Sequence, residues 1–229
     1  VSPVPASPDT PPPPARPSRV AIERVSPEVD AGRFAAKRIA GDRVEVRATI
    51  FADGHEVLAA EVLYRHDGAD AWFRAPMRLL GNDRWAGAFD VPKAGRVEYT
   101  VEAWVDRYAT WLERLDKRHA AGQDLAVEFQ VGARLLASAA ASAGKQGSSG
   151  LHNAASRLPG LDPETGVALA HAVADEACRY QDKGVVATYP RVLAMDVERE
   201  RAGFGAWYEF FPRSFGKDGA HGSFADAAE

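Results

Sequence analysis

A single cysteine, Cys178, is all the thiol this chain carries. It excludes an internal disulfide and suits a reducing compartment, so a cytoplasmic setting is expected. Within AVADEACRY it falls at a helical core position, which fits a small buried hydrophobe better than a nucleophile. Long apolar runs are missing as well. No window approaches the roughly 18 to 20 consecutive apolar residues that a membrane-spanning helix requires. The first residues have neither a basic segment nor an apolar one, so no secretory signal is expected there. Charge of one sign is also scarce. Lys and Arg number 28 against 32 Asp and Glu, and the net −4 gives no general attraction to nucleic acid or anionic lipid.

Reactive constellations are equally thin. His171 and Asp175 stand four apart on one helical stretch, but no third metal ligand is in register. Lys217-Asp218-Gly219 lies in a glycine-rich loop without the G-x-x-x-x-G-K-[ST] frame of a phosphate loop. Ser214, His221 and Asp226 supply the residue types of a triad, yet nothing puts Ser214 on a nucleophile elbow. No catalytic, cofactor-binding or metal-binding residue is assigned.

What is present divides into four stretches along 229 residues, of which 46% are apolar and 26% charged, as in ordinary globular proteins. Residues 1–18 hold Pro3, Pro5, Pro8, Pro11 to Pro14 and Pro17, a proline-rich tail expected to be disordered. From 19 to 106 the hydrophobic period is two. Val44, Val46, Ala48 and Ile50 alternate with polar residues. So do Leu58, Ala60, Val62 and Tyr64, then Phe73, Ala75, Met77 and Leu79, and later Val97, Tyr99, Val101, Ala103 and Val105. Turn signals at 52–54, 66–68, 81–83 and 92–95 separate about seven short strands. Such a series predicts an immunoglobulin-like β-sandwich.

Residues 107–190 change to helical period. Tyr108, Trp111, Leu112 and Leu115 line one face of a first helix, which Gly122 ends. Asp124 caps a second, through Phe129, Leu135 and Leu136 to the alanines at 137–143. A flexible loop is expected at 144–150 and a short helix at 151–158. Asp162-Pro163-Glu164 then opens a helix through Tyr180. Alternation returns at 192–199, with Leu193, Met195 and Val197 on one side. Strands on both sides of a helical block imply that residues 107–190 are inserted into a sheet domain made of 19–106 and 191–201.

Residues 203–229 read differently again. An aromatic run at 205–211 predicts a buried strand. After a glycine loop, Ser223 and Asp226 open a helix. One β/α unit cannot bury its own faces, so this stretch is expected to begin a truncated (β/α)8 barrel whose remainder lies beyond residue 229. The strand WYEFFPRSF at 207–215 resembles the first barrel strand of the α-amylase superfamily, glycoside hydrolase family 13. In its WYEFFPRS form it is similar to the bacterial α-1,4-glucan:maltose-1-phosphate maltosyltransferases. Residues 97–123, VEYTVEAWVDRYATWLERLDKRHAAGQ, are similar to that family's junction from sandwich into helical insert, and the resemblance runs from about 19 to 229.

The resemblance implies a retaining glycosyltransferase. It would move maltosyl units from α-maltose 1-phosphate to the non-reducing end of an α-1,4-glucan through an Asp nucleophile and a Glu acid/base on later barrel strands. It implies a homodimer through the sandwich and the helical insert, no metal or organic cofactor, and an inactive fragment here. Other readings stay open: a branching or debranching relative, or a non-catalytic glucan-binding or dimerisation module. Trp72 and Trp104 fall opposite the apolar faces of their strands, where each can stack on sugar or cover an interface.

Overall fold

The computed structural model describes residues 18–206, 209–217 and 219–228, the side chains of 145–148 excepted. Most of the expected proline-rich tail, residues 1–17, lies outside them. The alternating stretches are strands: β1 (Val20–Ser26), β2 (Ala36–Ile39), β3 (Arg43–Ala52), β4 (Leu58–His66), β5 (Phe73–Gly81), β6 (Arg84–Asp90) and β7 (Gly95–Val105). In β3 each apolar residue of the alternation is buried, and Arg43, Glu45 and Arg47 face outward. After the helices come a short β8 (Ala187–Thr188) and β9 (Leu193–Glu198).

The strands share one hydrogen-bonded ladder in the order β1-β3-β6-β5-β4-β7-β9-β2, with β8 also on β7. The sheet curls until β1 touches β7, so residues from every main strand meet in one core, with Val44, Val62, Tyr99, Val101 and Met195 at 0% exposure. Tyr99 fixes this closure. Its ring is buried beneath the sheet, and its hydroxyl donates to the carbonyl of Pro27, just past β1. Burial pushes the Tyr99 phenol up against the opposing charge of Arg38, so it stays a neutral donor.

β8 and β9 together run antiparallel along one edge of β7. Pro190 between them has no N–H for the ladder, and the edge opens there. The hydroxyl of Thr100 compensates by donating to the carbonyls of Arg191 at 3.0 Å and Tyr189 at 3.5 Å. β9 then pairs with β2 in parallel, Met195 opposite Ala36 and Val197 opposite Arg38. The return segment is thus the only link that brings β2 into the sheet among the described residues.

Four α-helices make a second core that shares no buried residue with the first. α1 (Arg107–Ala120) begins as β7 ends. Asp106 accepts from the Ala109 N–H at 2.8 Å and caps the helix. α2 (Ala126–Arg157) differs from the expected helix, loop and short helix. Residues 144–150 continue helical, and the break is confined to Gly144 at φ 64° and ψ −167°. An apolar face on either side explains this, since Leu136 and Ala140 before the break and Leu151 and Ala154 after it all enter the helical core. The helix expected from 162 to 180 is two, α3 (Pro163–Ala172) and α4 (Ala174–Tyr180), broken at Val173. Close approach is bought with glycine at two places: a Cβ at Gly132 would stand 2.2 Å from the Trp111 ring, and one at Gly166 2.3 Å from that of Phe129.

The C-terminal stretch departs from expectation. Among its described residues, 205, 206 and 209–211 form no strand, and Trp207 and Tyr208 lie outside the described set. A strand needs a neighbour for its N–H and C=O groups, and among the described residues none pairs with 205, 206 or 209–211. Pro212–Phe215 is a single 3₁₀ turn. The expected helix at 223 is also only begun. Ser223 donates to Asp226 from both its N–H and its hydroxyl at 2.7 Å, and two backbone bonds follow, Ala227 to Ser223 at 3.3 Å and Ala228 to Ala225 at 3.2 Å. A helix this short is marginal without packing.

The role of β9 can be measured. Met195→Ala should cost about 2–5 kcal/mol of stability in urea unfolding, whereas Val192→Ala, at a position 54% exposed, should stay within about 0.5 kcal/mol of the parent. Equal effects would mean that β9 is not part of the core.

Candidate functional site

The described residues bring no catalytic set together. His171 pairs across the bundle, its Nε2 2.8 Å from Asp116 Oδ1 on α1. Asp226 is engaged by Ser223 and held below the usual carboxylate range by those hydrogen bonds, not by Ser214 or His221. Asp218 lies outside the described residues. Among the described residues no group of three or more His, Cys, Asp and Glu could hold a metal ion. Cys178 is half-buried, and burial together with the nearby Asp106 carboxylate pushes its thiol up to about 12, which removes the thiolate needed of a nucleophile.

The functional surface that the fold does assemble is the seam between sheet and helices. Gln181, just past α4, turns its side-chain oxygen to the first turn of α1 and accepts from the N–H groups of Arg107 at 3.0 Å and Tyr108 at 3.2 Å. Two residues later Lys183 reaches the outward face of the sheet. Its ammonium bonds Glu61 on β4 at 2.7 Å and sits 3.8 Å from the centre of the Trp104 ring on β7. Arg74 on β5 meets the same Glu61 at 2.8 Å and Glu102 at 2.7 Å. Glu61 thus joins β4, β5 and the return segment, and Arg74 carries the tie on to β7 through a second carboxylate, Glu102.

Of its two readings, stacking on sugar or covering an interface, Trp104 takes the second, within its own chain. It is 4% exposed, and its outward neighbours Leu63 and Thr100 are at 5% and 4%. Trp104 is covered from within its own chain and offers no free face to sugar. Trp72 is half-buried, with the Arg65 guanidinium 4.5 Å above its ring. Cation–π contacts of this kind contribute about 0.5–2 kcal/mol, more when water is excluded. Sequence reasoning missed Glu61, Glu102, Arg74 and Lys183. The available signal was that Glu61 and Glu102 share the outward parity of Trp104, so a cation was needed to cover all three.

Partial burial pushes Glu61 up, but the hydrogen bonds and charges of Lys183 and Arg74 outweigh it, leaving its carboxyl below the ordinary value of 4.5. A carboxyl lowered by folding stabilises the fold above its unfolded value, and that stabilisation fades as pH falls through the folded one. The stability gap between the parent and Glu61→Gln should therefore be full at pH 7 and shrink below about 4.5. Chemical denaturation at a series of pH values reads this directly. A gap independent of pH would exclude a charged Glu61 as the tie.

Comparison with known proteins gives this two-part architecture a family. A profile described as alpha-1,4-glucan:maltose-1-phosphate maltosyltransferase, domain N/S, matches residues 18–199. Proteins named alpha-1,4-glucan:maltose-1-phosphate maltosyltransferase are similar over most of the chain. The one from Chlorobaculum tepidum is 41% identical over 211 residues, covering 91% of this chain and 32% of the relative. The one from Myxococcus xanthus is 45% identical over 219 residues, covering 91% and 33%, and the one from Burkholderia pseudomallei 40% over 214, covering 91% and 19%. The chain spans about a third of the length of the first two. Since the matched residues 18–199 contain the whole sheet, the helical block and the seam that joins them, the chain belongs to the family of the maltosyltransferase N/S domain.

Proposed function

We propose that this chain serves as the N-terminal part of a maltosyltransferase that transfers maltosyl units from α-maltose 1-phosphate to the non-reducing ends of α-1,4-glucans and releases phosphate. The observation that carries the reading is the family match over residues 18–199, which coincides with the sheet and its helical block. In this reading the chemistry is retaining and belongs to an α-amylase-type barrel. An Asp nucleophile and a Glu acid/base would face each other about 5 Å apart on a rigid frame, outside these 229 residues. No residue of this chain is given a catalytic role.

The finer points of the reading have separate support. The sheet is taken as an immunoglobulin-like sandwich because β1 folds back onto β7 across one core. Residues 19–106 and 191–201 are taken as one domain interrupted by 107–190, because β9 completes the edge of β7. Residues 203–229 are taken as the start of the barrel. Phe204, Phe211 and Phe224, at 82%, 72% and 78% exposure, are large apolar groups for a following domain to cover. A homodimer through sandwich and helices would cover others, such as Phe73 on β5 and Val127 on α2. A cytoplasmic setting agrees with the single inert thiol. No helix among the described residues is long and apolar enough to cross a membrane.

The test is phosphate release from α-maltose 1-phosphate with a glucan acceptor. The 229-residue chain alone should show none, and a chain extended through the whole barrel should turn over. Release by the short chain would place the catalytic groups within it and overturn the assignment.

A further inference from the structure

The sheet ends in β1 on one side and β2 on the other. An open strand edge offers a row of N–H and C=O groups on which another chain can pair. β1 does not offer a regular one. Its register shifts between Glu23 and Ser26, Arg24 stands there at φ 52°, and its far side lies against β7 and β8. The far side of β2 has no strand beside it among the described residues. Its own chemistry therefore decides whether this edge accepts a partner.

Along a strand the backbone polar groups of successive residues point to opposite sides. The Ala40 N–H bonds the Glu198 carbonyl at 2.8 Å, on the β9 side. By alternation Lys37 and Ile39 turn theirs to the open side. Most of these groups are already engaged. The Ile39 N–H donates to Asp42 Oδ2 at 2.9 Å, and the Ile39 carbonyl accepts from the Asp42 N–H at 3.0 Å. The Lys37 carbonyl accepts from Arg38 Nη1 at 2.6 Å. The Lys37 N–H is left, beside a charged side chain held on Glu198 at 2.8 Å.

Asp42 is fixed in this position. Gly41, at φ 98°, lets the chain turn back at once after β2. That turn is bonded to the end of β6, the Gly41 N–H to the Val91 carbonyl at 2.9 Å and the Val91 N–H to the Asp42 carbonyl at 3.0 Å. The carboxylate thus starts from an anchored backbone beside Ile39.

We infer that Asp42 and Arg38 close the open edge of β2 against strand addition, and that without them the edge pairs with β2 of a second copy. Two copies related by a two-fold axis place the same residue opposite itself, so Lys37 exchanges its N–H and C=O bonds with its counterpart. The like charges brought together by that pairing oppose it, which makes Lys37 a third part of the closure. The inference concerns the sheet alone and does not rest on the maltosyltransferase reading.

The experiment measures the mass of the 229-residue chain by light scattering after size-exclusion chromatography, from micromolar to millimolar concentration, with the parent as reference at each point. The combined variant Lys37→Thr, Arg38→Ala, Asp42→Ala frees the edge and removes its charge. Its mass should rise to at least about twice that of the parent. With Lys37→Pro in place of Lys37→Thr the edge loses its central donor, and the mass should return to that of the parent. Asp42→Ala alone should speed exchange of the Ile39 amide about tenfold, as loss of one hydrogen bond does, whereas Asp42→Asn keeps an acceptor and should not. A folded Thr-containing variant with the mass of the parent would overturn the inference. So would equal growth of the Pro-containing variant, or loss of the fold by circular dichroism in either, because these residues would then be holding the fold together and not closing an edge.

Discussion

The whole arrangement depends on how the chain leaves the sheet and comes back. At Asp106 a buried strand becomes a helix within one residue, and the first N–H groups of that helix have no partners within it. Asp106 takes the Ala109 N–H, and Gln181 takes those of Arg107 and Tyr108. The cap on the way out is therefore completed by the residue on the way back. Val57 and Thr110 lock the same corner to the sheet, since the Asp106 N–H donates to the Val57 carbonyl at 2.8 Å and the Val57 N–H to the Thr110 hydroxyl at 3.0 Å. Each bond contributes about 1 kcal/mol net. Their joint effect is to fix where the helical block stands relative to the sheet.

Around that corner two kinds of tie divide the work. Within the helices the tie is a buried carboxylate: Glu128, 5% exposed, draws Arg114 at 3.1 Å and Arg118 at 3.3 Å, while its backbone carbonyl accepts from the Trp111 indole at 3.0 Å. Removing one partner from such a set is expensive because the remaining charge stays buried. Across the seam the tie is half-exposed, through Glu61, Lys183 and Arg74, and is weaker and more sensitive to salt and acid.

Much of the fold was legible from residue order. Period-two alternation located seven strands to within a few residues, because one buried face demands it. The Asp162-Pro163 start likewise marks a helix through local chemistry alone. The sequence also signalled that 192–199 returns to a strand. It could not say that this strand lies parallel to β2, since short pairing partners 161 residues apart, such as Lys37 and Glu198, share no local pattern. The helix through 144–150 was hidden because glycine and serine read as loop until packing on both sides overrides their propensity. The aromatic run at 205–211 went the other way: β-propensity is strong there, but a strand exists only with a neighbour to bond. Trp104 shows the same limit. Parity placed its ring on the outward face correctly, and only the tertiary structure decided that Lys183, 79 positions on by residue number, would cover it. Local order dictates which groups need partners; which distant residue meets that need is set by packing.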